Sequence, residues 1–357
     1  MGARGILRKR LQLGWVMREL NQPTKKLFLH TDLINERGVA ASTFEYAIYL
    51  QNLGHQVSWF YNINYPGNDS NVINNYGKLV EIRGYKDFNK ERLQFSKEFD
   101  WAYFQKQGSR DGLAIDNIPN NVHAVFNIFE PHGNHYAYIS KWLSSHAGRC
   151  SNSPNRYLAG IRRRIPNPLS RNSFVPYCLD LPRLEEDCRN EWGVPQEAFV
   201  CLTMGGEFSF DIQWVQKTII QTLHDRSDFY FVAVNTKPFV SHNRAIFLKK
   251  ITNKADKVRV LKSANVFLHG RTIGETFGMA ILEAMAVGTP ILSWKGGRDR
   301  NHISLLDREC LYRDRNDLRS KLRNLPNKES VQNNLKTAEA YQTVNVMRRF
   351  MKVFELD

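Results

Sequence analysis

The sequence predicts an α/β protein made of two successive doubly wound, Rossmann-like domains. Three observations predict it. A chain of 357 residues is longer than one small core accommodates. Short apolar runs alternate with helical patterns in two separate series. Between the series lies Pro166–Pro182, rich in proline and polar residues. In such sheets ligands bind beyond the carboxyl ends of the strands, so two domains facing one another would frame a central cleft with a site on each lip.

The elements follow in order. Residues 1–26 form a basic segment whose apolar positions (Ile6, Leu7, Leu11, Leu13, Trp15, Val16, Leu20) are broken by charges, unlike a secretory leader. Their spacing suits a basic amphipathic helix on a membrane surface, or equally a disordered start. The first domain is expected over 27–177, with strands at Leu27–His30, Gln56–Tyr61, Trp101–Gln105 and Val122–Phe129 and a helix at Ala40–Leu53. The second is expected over 178–330, with strands at Phe199–Met204, Phe229–Val234, Val266–His269 and Pro290–Trp294. Its helices are expected at Ile212–Leu223 and Phe277–Val287, and one last helix at Val331–Phe354 within 331–357.

Composition narrows the class. Hydrophobic residues at 42% suffice for packed cores and argue against disorder. No run reaches the ~20 apolar residues of a membrane span. The five cysteines are scattered without a CxxC, which fits neither a disulfide framework nor structural zinc and suits a reducing, cytoplasmic setting. The net charge is +15, and the segments 1–26 and 149–171 each contribute +6 of it. That excess suits an anionic partner: nucleic acid, an anionic membrane touched peripherally, or a phosphorylated substrate. Only Trp15 and Tyr157 interleave the basic segments, which disfavours stacking on single strands, and no nucleic acid is expected. P-loop and hydrolytic-metal motifs are missing, so no metal is expected.

The segment His269–Glu283 carries the chemistry. A strand ends in a loop with Gly270 and Gly274, and a helix starts near Phe277–Gly278. Glu275 and Glu283 lie eight positions apart, about 2.2 helical turns, so both can face one cleft. The amides of Gly278 and Met279 sit at the positive helix end, suited to phosphate or sugar oxygens. A cap role for Glu275 and a solvated Glu283 are the plain alternatives. Against the second, Ile281, Leu282, Ala284, Met285 and Ala286 surround Glu283 with apolar side chains, so its carboxylate needs a partner, and ligand hydroxyls would serve.

Glu275-Thr276-Phe277-Gly278-Met279 and Glu283-Ala284-Met285-Ala286-Val287-Gly288-Thr289-Pro290 resemble the E-x-F-G-x(4)-E-A-M-A-x-G-x-P signature of retaining GT-B glycosyltransferases of family 4. Gly38, Leu53-Gly54-His55-Gln56-Val57 and Val175-Pro176-Tyr177 with Asp180 are similar to further family segments. The resemblance implies a GT-B fold whose first domain binds an acceptor, a glycan or lipid-linked glycan. The second domain would bind a nucleoside-diphosphate sugar as co-substrate, with no other cofactor, and the last helix would return to the first domain. It implies that Glu275 contacts donor-sugar hydroxyls, Glu283 the ribose, and the Gly278–Met279 amides sugar and phosphate. Donor-side residues are then Gly205, Gly206, Lys237, Gly274, Thr276, Phe277, Gly278, Met279, Glu283 and Arg298.

One departure matters. The family's Arg and Lys after the first strand of the second domain are replaced here by Met204-Gly205-Gly206-Glu207-Phe208-Ser209-Phe210-Asp211. A diphosphate leaving group still requires positive charge. Arg271 is the first substitute, then Lys237, then Arg298 and Arg300. Asp211 could hydrogen-bond a base or sugar, but its place before the helix Ile212–Leu223 favours an N-cap. In the first domain, His132 and His135 are read on a loop past a strand end, where they could act on an acceptor or serve as polar filler. Arg37, Gly38 and Lys106, with Asp111 nearby, complete the acceptor side. The expected catalytic group is Glu275, Arg271 and His132. Two readings compete with transfer: a nucleic-acid or anionic-membrane binding protein driven by the charge, and a sugar-nucleotide epimerase or hydrolase of the same fold.

Overall fold

The computed structural model describes residues 23–148 and 173–356. Residues 1–22 and the basic stretch 149–171 lie outside them, and with them the surface helix expected near the amino terminus. The chain divides into two compact units: Met1–Cys178 with Val344–Asp357, and Leu179–Thr343.

The first unit runs β1 (Lys26–Thr31), α1 (Gly38–Asn52), β2 (Gln56–Asn62), α2 (Ser70–Gly77), β3 (Glu81–Tyr85), α3 (Phe88–Glu98), β4 (Trp101–Lys106), β5 (Asn120–Ala124), β6 (His135–Tyr138) and α4 (Lys141–His146). Its described strands form one parallel sheet ordered β3-β2-β1-β4-β5-β6. Alternation along β1 sends Phe28 and His30 to one face and Leu27 and Leu29 to the other, all fully buried. Phe28, Phe60, Phe95, Phe99 and Phe104 pack together on the first face. On the opposite face Tyr103 meets Phe350 and Phe354 of the carboxy-terminal segment, and the Trp101 indole N–H donates to the Phe354 carbonyl at 3.1 Å. Helix α1 stops because Gly54, just past its end, takes a left-handed φ of +95° and its N–H returns to the Gln51 carbonyl.

The second unit runs β7 (Phe199–Met204), α5 (Gln213–Asp225), β8 (Phe229–Val234), β9 (Ala245–Leu248), α6 (Lys254–Lys262), β10 (Val266–His269), β11 (Gly274–Glu275), α7 (Met279–Val287), β12 (Ile291–Trp294), β13 (Asp299–Arg300), α8 (Asn301–Leu305), β14 (Leu311–Tyr312), α9 (Arg315–Arg323) and α10 (Lys328–Glu339). The last helix, α11 (Thr343–Val353), belongs almost wholly to the first unit. The main sheet of the second unit is again parallel, ordered β14-β12-β10-β7-β8-β9, with a two-stranded β11-β13 ladder beside it. Strand order reverses between β1 and β4 in the first sheet and between β7 and β10 in the second. These are the switch points where an open parallel sheet leaves a crevice at its carboxyl edge.

Two expected elements are corrected. The helix expected over Val331–Phe354 is two helices, α10 and α11. They part where the Tyr341 carbonyl turns to accept the Leu179 N–H at 2.7 Å. Helix α10 stays with the second unit, because Ser330 donates to Glu309 at 3.1 Å and Gly288, at the end of α7, lies against Leu335. The strand expected at Val122–Phe129 is β5, which ends at Ala124, and the chain then leaves the sheet as a loop. Among the described residues no helix is long and apolar enough to cross a membrane.

His123 shows how the first core handles a polar ring. Its Nε2–H donates to the Val175 carbonyl at 2.8 Å, and its Nδ1 therefore accepts from the Tyr103 hydroxyl at 2.6 Å. Burial lowers its pKa to about 4, against weaker raising by backbone hydrogen bonds. A base whose folded pKa lies below its unfolded ~6.5 gives stability that is complete above pH ~6.5 and lost as pH falls toward 4. Urea unfolding from neutral pH down through that window is expected to show His123→Gln gaining on the wild type; a constant difference would contradict a neutral buried ring.

Candidate active site

The loop between β10 and α7 closes a tight corner at the second sheet's switch point. Gly274 has φ +79°, and a Cβ there would stand 2.0 Å from the Asp299 carbonyl oxygen and 2.8 Å from the His302 ring. Only glycine permits that approach. The proximity lets β11 pair with β13, Gly274 opposite Asp299 and Glu275 opposite Arg300. The ladder thereby aims the Glu275 side chain.

Glu275 is held from three directions. Its Oε2 accepts from Arg271 Nη1 at 3.0 Å, its Oε1 faces His269 Nε2 at 3.4 Å, and its own N–H donates to His302 Nδ1 at 3.3 Å. Desolvation by burial pushes the Glu275 pKa up, but His269 and Arg271 outweigh it, so the net shift is downward and the group is a carboxylate at neutral pH. His302 accepts that amide on Nδ1 and donates from Nε2 to the Trp294 carbonyl at 2.9 Å, which fixes its tautomer. Burial, then neighbouring His269, lowers its pKa to about 3, so it stays neutral. His269 is oriented in turn by Ser293 Oγ, 2.9 Å from Nδ1.

Glu283 lies on α7 and is 6% exposed. Its partner is Lys257 of α6, with Nζ 2.6 Å from Oε1. Its other oxygen, Oε2, has no protein partner among the described residues. The carboxylate that needed a partner thus has a protein cation on one oxygen and one oxygen to offer. Gly278 precedes α7 with φ +92°, and no side chain caps that helix end. Phe277, in contrast, turns inward: its ring is buried and edges onto Tyr341, while Asn301 Nδ2 donates to its carbonyl at 2.6 Å. It anchors the corner and does not present its side chain to a ligand.

Around the corner, the loop after β7 lies beside the loop after β10. Asp211 is not a helix cap. Its Oδ1 accepts from the Thr272 N–H at 2.7 Å, tying the two loops together, and the cap position of α5 is Ile212. Asn235, in left-handed φ +53°, donates to the Gly205 carbonyl at 2.8 Å, and Ser209 closes back on Gly206. Lys237 is exposed, with its N–H on the Glu207 carbonyl at 3.4 Å. Arg298 pairs with buried Asp299 at 2.9 Å. Thr276 and Met279 are half-buried.

In the first unit Lys106 ends β4, buried, with Asp111 2.5 Å away. His132 holds the Glu130 carbonyl with Nδ1 at 2.6 Å. Burial is the main cause lowering its pKa. Arg37, whose N–H meets Asn35 Oδ1 at 2.9 Å, and Gly38 open α1 on the surface. His135 is corrected. It begins β6 instead of lying on a loop past a strand end, and so sits at the amino edge of the sheet, bonded to Asn121 at 2.7 Å and near Glu355 at 3.2 Å. That is the edge opposite the one where β4 ends at Lys106. Among the described residues no group of three or more His, Cys, Asp or Glu is placed to hold a metal ion.

Sequence reasoning missed His269, His302 and Lys257. The two histidines flank the recognised acids without a motif of their own, and Lys257 lies 26 positions before its partner.

Residues 241–303, the stretch containing this corner, match the family model "Glycosyl transferases group 1". No curated protein sequence matches the chain. Solved structures share its fold at low identity. A glycosyltransferase from Rickettsia africae ESF-5 is 13% identical with a TM-score of 0.66, covering 94% of this chain and 99% of that one. Anabaena Alr3699/HepE, solved with UDP and glucose, is 14% identical with a TM-score of 0.65, covering 93% and 99%. The lipopolysaccharide outer core galactosyltransferase WaaB is 12% identical with a TM-score of 0.59, covering 93% and 99%. The fold is that of GT-B glycosyltransferases, and with the matched segment it supports a glycosyltransferase.

If the Gly274 corner positions Glu275, Gly274→Ala and Gly278→Ala should differ. A methyl at 274 collides with backbone, whereas at 278 its nearest neighbour is 3.5 Å away and only the left-handed φ resists. Gly278→Ala should cost about 1–2 kcal/mol in urea unfolding and Gly274→Ala clearly more; equal costs would contradict the geometry.

Proposed function

We propose that this protein transfers a sugar from a nucleoside-diphosphate sugar, a UDP-sugar foremost, to an acceptor hydroxyl, with retention of anomeric configuration and without a metal. The observation that carries the proposal is the pair of acids at the corner. Glu275 is held ionised and aimed by a backbone ladder, and Glu283 keeps one oxygen unpartnered, both beside an uncapped helix start. In this reading Glu275 accepts hydrogen bonds from donor-sugar hydroxyls and Glu283 Oε2 accepts from the ribose. The amides of Gly278 and Met279 and the remaining N–H groups of Arg271 meet the diphosphate. Lys237 and Arg298 add positive charge nearby.

Chemistry then needs little more. The bond from the anomeric carbon to the diphosphate oxygen breaks, the acceptor oxygen bonds to the same face, and the proton of the acceptor hydroxyl passes to the departing diphosphate oxygen. Arg271 and the helix-end dipole stabilise the charge left on the diphosphate. Retention rests on the likeness of the Glu275–Pro290 motif to retaining enzymes. The choice of UDP rests on the nucleotide held by the Anabaena protein of the same fold. A glycan or lipid-linked acceptor suits the two basic stretches, which would favour peripheral contact with an anionic membrane on the cytoplasmic side.

A thermal-shift panel of UDP-, GDP-, ADP- and dTDP-sugars tests the donor. A ligand at ~100 times its Kd adds about 2.7 kcal/mol, so one base should raise the melting temperature clearly. No shift with any of them would refute the reading. With the donor so found, Glu275→Gln should lower sugar release or transfer by ~10²-fold or more. The same assay should keep its rate in EDTA; loss of activity there would remove the metal-independent mechanism.

A further inference from the structure

Lys257 and Glu283 join two helices of the second unit. Lys257 lies near the start of α6, which Asn253 caps by accepting from the Ala255 and Asp256 N–H groups. Buried Val258 and Leu261 pack α6 inward. Thr289 Oγ1 donates to the Leu261 carbonyl at 3.0 Å and ties the end of α6 to the chain leaving α7. The helices therefore fix where the lysine stands. Its Nζ is 2.6 Å from Glu283 Oε1, with the lysine side chain 23% and the glutamate side chain 8% exposed. Glu283 Oε2 has no partner among the described residues, yet it is not one of the atoms sealed from solvent. A ligand can reach it.

Glu283 follows Met279 by four residues, so it stands on the same face of α7, one turn or about 5.4 Å from the uncapped amino end. A nucleoside 5′-diphosphate with its phosphates at that end would bring its ribose to the level of Glu283. A ribose diol presents two donors side by side, and a carboxylate with both oxygens free answers both. Here Oε1 is already filled by an ammonium, a charge-assisted donor stronger than a hydroxyl. To take that oxygen, a ribose hydroxyl would have to break a largely buried ion pair, which is costly. Oε2 remains, and it serves one hydroxyl.

We infer that Lys257 is a specificity-determining residue for the nucleotide. By filling Oε1 it restricts Glu283 to one ribose hydroxyl, the 3′, which ribose and 2′-deoxyribose share. The site then takes 2′-deoxyribonucleotides nearly as well as ribonucleotides. This role rests on the reading in which Glu283 meets the ribose, and it names the nucleotides that such a site admits.

The test is titration calorimetry of the full chain with UDP, 2′-deoxy-UDP and 3′-deoxy-UDP, and with the corresponding forms of GDP and ADP. A hydrogen bond to a charged acceptor is worth roughly tenfold or more in affinity. For the base that binds, the wild type should lose less than about fivefold without the 2′-hydroxyl and about tenfold or more without the 3′. Lys257→Met vacates Oε1 and should raise the 2′-deoxy penalty to about tenfold or more. Lys257→Gln keeps a donor on that oxygen and should leave the penalty low. A merely structural lysine would lower the melting temperature in the Met variant and leave the penalty at its wild-type value, which overturns the inference. So does a wild-type penalty of about tenfold or more; if it then vanishes in Lys257→Met, the lysine itself holds the 2′-hydroxyl. Should Lys257→Met fold poorly, the wild-type ratios alone decide. Binding of no nucleotide removes the donor reading and this role together, whereas tight binding with a large 2′-deoxy penalty removes this role alone.

Discussion

Two parallel strands cannot be joined by a tight turn, and most of this molecule follows from that geometric fact. Each chain crossing must return to the same edge, which is why the strands end together and the irregular, polar segments collect beyond their carboxyl ends. The reversal of strand order then opens one crevice in each sheet. Glu275, Arg271 and the β7 loop gather at one of these. Lys106, Asp111 and Asp32 gather at the other. Neither group is local in sequence, yet each is an unavoidable neighbourhood once the strand order is set.

Within those crevices the protein meets the cost of burying charge in three different ways. Glu275 receives a full set of partners, and the histidine–arginine pair overcomes its desolvation. Glu283 receives one cation on one oxygen. Asp32 receives none, and its proton affinity rises accordingly. Glycine does a separate task at 274, where the chain passes so close to the Asp299 carbonyl that no side chain fits.

What could be read ahead of the structure followed burial. The strands found by pattern, at Leu27, Gln56, Trp101, Phe199, Phe229, Val266 and Pro290, occupy interior places in the two sheets, and their two buried faces write a continuous apolar run. Those overlooked, β3, β6, β9 and β14, are the four edges of the main sheets. An edge strand such as Glu81–Tyr85 is half in solvent and carries Glu81 and Arg83, so it leaves no such run. The same logic explains the misplaced end of β5 and of His135: Phe126 is exposed, so the apolar letters past Ala124 described a loop.

The sequence by itself determined the class of fold, the two-domain division and the acid pair of the Glu275–Pro290 motif, because repeated apolar periods and a dense local motif survive without coordinates. The tertiary structure alone decided which groups complete each site. Lys257 meets Glu283, His302 receives the Glu275 amide, Asp211 ties two loops together and Asp32 is left without a donor. Each of these depends on segments far apart in the chain, and pairing between distant polar side chains leaves no period for a sequence to display.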